Sequence, residues 1–369
     1  MFCMGGKQLS PFEIKLNKLV SRYLTGVSFV EKMMFVHHLQ IMTKAGLSII
    51  TSLKILSEET ENKKLKLIIA EIKAEVEKGQ QLSVALAKYP KVFPPVYVSM
   101  IAAGEIAGKL EEALTEVSAQ MKKSHELMSK VKGAMIYPSV ILSAMVGIAF
   151  FVVLYIFPKI LVMFEETNAT LPLPTRALMF ITKFMQNNWY WVLIILALII
   201  YAYFQAMKAA PFKKAVHSLR LKLPIAGNIV KKINLANFTL TLCSLLKSTI
   251  PIIEAVKISS DVLGNVIYKE KLKEASESLK KGISLSEVLA RHPEVFPPMV
   301  TEMIMVGEQT GNTEKMLNEL SEYYNSEVSE TMTNFTSIIE PVIILALGLG
   351  VAGIAVAVIM PMYSLAQSI

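Results

Sequence analysis

The residues of this 369-residue sequence with the most chemical promise form one short run, Gly104-Glu105-Ile106-Ala107-Gly108-Lys109, which has the outline of a phosphate-cradling loop. Such a loop needs four residues between its glycines and a Ser or Thr after the lysine to meet magnesium. Here three residues separate the glycines and Leu110 follows Lys109, so the run is not an ATP site. The histidines offer no more. His37 and His38 are adjacent and point in different directions on a helix, while His125, His217 and His292 are scattered, so neither a zinc set nor a catalytic dyad follows. Cys3 and Cys243, the only cysteines, can build neither a disulfide framework nor a thiolate metal site. The expectation is therefore no catalytic residue, no metal and no cofactor, and a chain that makes no covalent change itself.

What the run does have is a twin. At an offset of 203 residues, 20 of the 41 positions from Lys78 to Ser118 are identical to Lys281 to Ser321 without a gap. The shared signature is Phe93-Pro94-Pro95, a helix, then Gly104, Glu105 and Gly108, repeated as Phe296-Pro297-Pro298, Gly307, Glu308 and Gly311. Its mechanics are readable. Proline pre-sets the first turn of a helix, glycine permits a tight break at positive φ, and the glutamate can accept the free N–H groups that begin the next helix. That role comes first for Glu105 and Glu308; direct contact with a partner is the other reading. The offset also pairs Phe35 with Phe238, Leu39 with Leu242 and Pro138 with Pro341, so the duplication reaches well beyond the signature.

The elements that position these motifs are helical. Leu65, Ile68, Ile69, Ile72 and Val76 recur at helical spacing, Gly79 ends the run and Ser83 is the expected cap of the next helix. No stretch alternates with period two, so each copy is expected to be a bundle of about six helices. Between the copies the composition changes. The chain is 53% hydrophobic and 18% charged, with a mean hydropathy of +0.47, far too apolar for a disordered or nucleic-acid-binding chain. Residues 134–158, 189–207 and 338–361 are each uncharged but for Glu340 and long enough to cross about 30 Å of hydrocarbon. Pro138 lies near the start of the first span, Pro341 opens the third, and Trp189, Tyr190, Trp191, Tyr201 and Tyr203 set an aromatic belt at each end of the second.

All but three of the 38 Lys and Arg lie in 1–133 and 208–340, which places both large regions in the cytoplasm and accounts for the net charge of +8 without nucleic acid. No secretory signal is expected in the first 30 residues. The resulting fold class is an all-α membrane protein with two duplicated cytoplasmic helical bundles and three transmembrane helices. Its divisions are a lead at 1–27, bundles at 28–133 and 208–337, an extracytoplasmic loop at 159–188, the three spans and a tail at 362–369.

The paired K-G-x-x-L-S, F-P-P and G-E-x-x-G motifs, Tyr137-Pro138, the loop Leu171-Pro172-Leu173-Pro174-Thr175-Arg176 and Glu340-Pro341 together resemble the inner-membrane platform proteins of type II secretion systems and type IV pili, the type II secretion F domain family. The resemblance covers residues from about 28 to 369. It implies two six-helix cytoplasmic domains, three spans in the bacterial inner membrane, and a role in assembling a pilin or pseudopilin filament. The implied partners are a cytoplasmic hexameric ATPase, other inner-membrane assembly proteins and further copies of the chain. On that reading Glu105, Lys109 and Glu308 are candidate contacts on the cytoplasmic side, and Leu171, Pro172, Pro174 and Arg176 on the far side. The second copy departs from the first at Ser248-Thr249-Ile250-Pro251, where Ala45-Gly46-Leu47 has a glycine turn; turn chemistry is expected to survive the change. A permease component is the alternative function, although the spans hold almost no ionisable groups for coupling. Small residues at four-residue spacing, Ala346 and Gly350 or Ser143 and Gly147 among them, suit helix packing, either within the chain or against a pilin helix or another protomer.

Overall fold

A computed structural model of the chain describes residues 26–158 and 173–366, and every regular element among them is helical. The first copy contains α1 (Phe29–Lys44), α2 (Ile49–Glu59), α3 (Lys63–Glu77), α4 (Leu82–Ala87), α5 (Pro95–Ile106) and the start of α6 (Leu110–Phe151). After α7 (Leu173–Ala206) and α8 (Ala210–Lys222), the second copy follows as α9 (Ala226–Lys247), α10 (Ile252–Val262), α11 (Val266–Lys280), α12 (Leu285–Ala290), α13 (Pro298–Thr310) and α14 (Thr313–Ala366). From α2 to the start of α6, each helix begins 203 residues before its counterpart.

Local chemistry sets these boundaries. Ser28 and Glu31 form a reciprocal capping box at α1, Ser48 caps α2, and the Asn62 side chain accepts from the N–H groups of Lys64 and Leu65 at α3. Ser83 does not cap α4. It is the second residue of that helix, and Gln81 occupies the cap without using its side chain. In the second copy Ser284 holds the cap position and its hydroxyl accepts from Glu287 N.

The apolar faces meet in matched cores. Phe35, Leu39, Leu53 and Ile69 correspond to Phe238, Leu242, Val256 and Leu272, none more than 4% exposed. Burying each such side chain stabilises by roughly 1.5–3 kcal/mol, which fixes the helices against one another. α9 is long and apolar enough to cross a membrane, yet its Leu235, Phe238, Leu242 and Leu245 are fully buried in this core and it carries Lys231 and Lys232. It is a bundle helix.

The chain divides into two compact units, Met1–Met128 with Lys231–Asn325, and Ser129–Val230 with Ser326–Ile369. Both copies share the first unit, because α5 of one packs on α10 of the other. The second unit holds the long apolar helices. α6 passes straight through Pro138 and continues into a π-helical turn at Val152–Ile156. Pro138 therefore lies inside a helix and not near its start. Beside it the Ser139 hydroxyl donates to the Met135 carbonyl at 2.7 Å, and the Ser143 hydroxyl to that of Ser139 at 2.7 Å, the kind of local donor that lets an apolar helix tolerate proline. Pro341 is likewise interior to α14.

α7 bends at Asn188 (φ −131°, ψ 21°), immediately before Trp189. Because α7 begins at Leu173, Pro174 and Arg176 belong to its first turn and not to a loop; proline fits there since the first N–H groups of a helix have no partner. Leu171, Pro172 and residues 1–25 lie outside the described residues. Leu110–Ile156 and Thr313–Gly353 each have the length and hydropathy of a crossing, as does Tyr190–Ala206 taken with Ala210–Lys222 across a bend of 102°. Their outward residues are apolar: Val140, Val146, Leu345 and Leu349 are all exposed, a surface that hydrocarbon covers and water does not. The glycines of the small-residue stripes, Gly147, Gly348, Gly350 and Gly353, have nothing within 4 Å of an added Cβ. Among the described residues nothing packs closely on these glycines.

Candidate functional site

The repeated corner is built from prolines, glycines and one carboxylate. Pro94 and Pro297 take extended backbone at the cap (ψ 148° and 154°), and Pro95 and Pro298 open the helix. A residue before proline is pushed out of the helical region and proline itself is pre-set for the first turn, so the pair defines a sharp entry. Phe93 and Phe296 anchor that entry in the core, with ring centroids 5.5 Å from Phe35 and 5.7 Å from Phe238. Tyr268 adds an edge contact to Phe296 at 5.4 Å and donates its hydroxyl to the Val295 carbonyl at 2.8 Å.

The two glycines of each signature do different work. Gly108 and Gly311 sit at φ +69° and +70°, the left-handed region open to glycine. After α5, Lys109 N donates to Gly104 O at 2.7 Å and Gly108 N to Glu105 O at 3.2 Å, closing a Schellman turn. Gly104 and Gly307 have ordinary dihedrals but no room. A Cβ there would stand 2.3 Å from Ala113 Cβ or 2.8 Å from Thr313 Cα.

Glu105 does not cap the helix that follows it. Its carboxylate reaches back to α4, accepting from Leu82 N at 2.6 Å and Ser83 N at 2.9 Å. Glu308 repeats the contact on α12 with Leu285 N at 2.7 Å and Ser286 N at 3.2 Å, and also takes the Ser286 hydroxyl. A charged acceptor placed at a helix N-terminus meets both the orphan donors and the positive end of the dipole. All four oxygens are engaged inside the bundles, so what the corner can present to a partner is its exposed rim. There Lys109 pairs with Glu112 at 3.2 Å and Ile106 is 80% exposed. Ile106 was not singled out by motif reasoning; the signal was an apolar residue where the second copy has Gln309.

Sequence reasoning also missed where this corner faces. The corner of the first copy abuts the α9–α10 turn of the second across a cleft of about 210 Å³ lined by Gly104, Lys109, Glu112, Lys247 and Thr249. Lys247 reaches Glu116 at 3.5 Å, and the Gln120 amide donates to Thr241 Oγ1 at 3.4 Å. Burial pulls the Lys247 ammonium down, but Glu116, Cys243 and Glu314 together more than offset this and leave its pKa raised. The turn itself keeps its shape without the glycine. Thr249 holds φ +60° where Gly46 has +86°, and is the only non-glycine at positive φ among the described residues. Ile250 N still donates to Leu245 O at 3.1 Å, the bond that Leu47 N makes to Met42 O at 3.0 Å. Among the described residues no group of three or more His, Cys, Asp or Glu could hold a metal ion.

A duplicated helical protein with long apolar helices and the same proline–glycine–glutamate corner in each half is a narrowly defined class. The chain matches the family described as Type II secretion system (T2SS), protein F, over residues 35–158 and again over 238–361. These two ranges differ by the same 203 residues that relate the helices. The chain belongs to that family. It is 33% identical over 331 residues to the type IV pilus assembly protein PilC of Thermus thermophilus, covering 90% of this chain and 81% of that one. With PilC of Myxococcus xanthus it shares 30% identity over 366 residues, 98% and 88% of the two chains. With the type II secretion system protein F of Aeromonas hydrophila the figures are 28% over 365 residues, 97% and 94%.

Proposed function

We propose that this chain is the inner-membrane platform on which a pilin or pseudopilin filament is built, and that it passes the motion of a cytoplasmic assembly ATPase to the membrane without doing covalent chemistry. The observation carrying this reading is that the family match recurs in both halves at the spacing of the duplicated helices, each half ending in a helix continuous from the corner into an apolar segment. In this reading 28–133 and 208–337 are cytoplasmic, the N-terminus is on the same side, and 159–188 faces outward, in keeping with the Lys and Arg bias. The corner rim at Ile106 and Lys109 is the ATPase-facing surface, and the open glycine stripe of α14 receives the apolar helix of the filament subunit.

The test is co-purification of the detergent-solubilised chain with the host's assembly ATPase, read together with ATP turnover. Binding that alters turnover, and its loss in an Ile106→Arg, Lys109→Glu variant with unchanged helicity, is the expected result. Undiminished binding in that variant moves the contact elsewhere. Absence of binding by the folded wild-type chain overturns direct coupling.

A further inference from the structure

The two copies grip each other through unlike faces. Copy 1 offers α5 and the first turns of α6, while copy 2 offers the end of α9, the Thr249 turn and α10. A contact between unlike faces of two equivalent copies leaves one of each kind unused: the α1–α2 face of copy 1, and the α13–α14 face of copy 2. Exposure at equivalent positions singles these faces out. Ile250 is 6% exposed and its counterpart Leu47 is 41%; Ser244 is 5% and Ile41 47%; Gln120 is 3% and Tyr323 40%; Val96 is 2% and Met299 39%. Scattered apolar residues on a surface need no explanation. Here, however, their counterparts are buried and stand on the elements through which the two copies meet, Gln120 in direct contact with Thr241 of the other copy. The charges follow the same pattern. Lys44 occupies the place of Lys247 and Glu319 that of Glu116; both are exposed, and neither forms an ion pair among the described residues, whereas Lys247 and Glu116 pair with each other.

We propose that the two unused faces bind each other between molecules, the α1–α2 face of one subunit receiving the α13–α14 face of the next, with Lys44 set against Glu319 and His38 against Tyr323. The contact repeats the one already made inside each chain, so a row of subunits presents an unbroken series of alternating copies. Such an interface is heterologous, and it closes into a ring only if its rotation divides the circle. The proposal rests on the asymmetry of exposure between the copies and does not depend on ATPase coupling.

The test uses the full chain in membranes, with Cys3→Ser, and two differently tagged forms carrying His38→Cys or Tyr323→Cys, the counterparts of the Thr241 and Gln120 pair. A disulfide joining the two tags, formed only when both forms are co-expressed, is the expected result, and a chain carrying both cysteines gives a ladder. Lys44→Glu or Glu319→Lys, surface changes that leave the core untouched, each lower the mixed product by about fivefold, and the two reversals together in one chain restore it. Cross-links between identical variants mean a face-to-face pairing and overturn the proposal. So does a mixed product indifferent to both reversals, or no mixed product at all, the result if the chain's own first 25 residues or an unrelated protein covers these faces.

Discussion

Thr249 carries a backbone conformation that a β-branched residue avoids, held by the turn bonds around it. Thr249→Gly is expected to stabilise the first unit by about 1 kcal/mol, and Gly46→Thr to destabilise it by at least as much; thermal unfolding of both variants checks the sign. The two corner glutamates belong to the same scale. Glu105→Ala leaves Leu82 N and Ser83 N without an acceptor and should cost about 2 kcal/mol, with amide exchange accelerating first along α4. Glu105→Gln keeps one acceptor oxygen and should cost about half of that. Cys243 is a third case: burial pushes its thiol up to about 11. Ionisation is disfavoured in the folded chain, so at pH 8 iodoacetamide should leave Cys243 unmodified in a Cys3→Ser background and react once the chain is unfolded in detergent. Rapid labelling of the folded form would contradict the burial.

At the scale of elements, the helices were legible because their signals are local. Leu65 to Val76 with Gly79, and Pro95 after Phe93-Pro94, declare their starts and stops within a few residues. What connects them was not legible. The carboxylate that caps α4 comes from 22 residues downstream, so a rule of adjacent capping assigned Ser83 to the wrong place and Glu105 to the wrong helix. Proline also misled in the long helices, because a rule drawn from water-soluble helices places helix starts at Pro138 and Pro341, and here both lie well inside a helix. The close approach at Gly104 and Gly307 was invisible for a related reason: the motif fixes which residue is present but not what passes in front of it. Gly104→Ala and Gly307→Ala should each cost about 1–3 kcal/mol through overpacking at Ala113 and Thr313. Denaturant melts with an unchanged slope would attribute the loss to the native packing. A cost near zero would mean that the junction yields.

For the whole molecule, the duplication was open to inspection in the sequence, whereas the joining of both copies in one unit was not. That depends on Lys247 meeting Glu116 and Gln120 meeting Thr241, pairs more than a hundred residues apart whose counterparts in the other copy are not joined. A further property follows from α14, whose 54 residues give it a length of about 80 Å. A helix carries angular information: each residue advances the azimuth by about 100°, so an inserted residue rotates everything after it relative to everything before it. If the chain is the platform proposed above, adding a single alanine after Thr336 should misalign the two ends and abolish filament assembly, while adding seven, close to two full turns, should restore the phase within about 20°. Filament counts on cells expressing each insertion would read this out, and equal activity of both insertions would mean that the helix acts as a tether, indifferent to its own rotation.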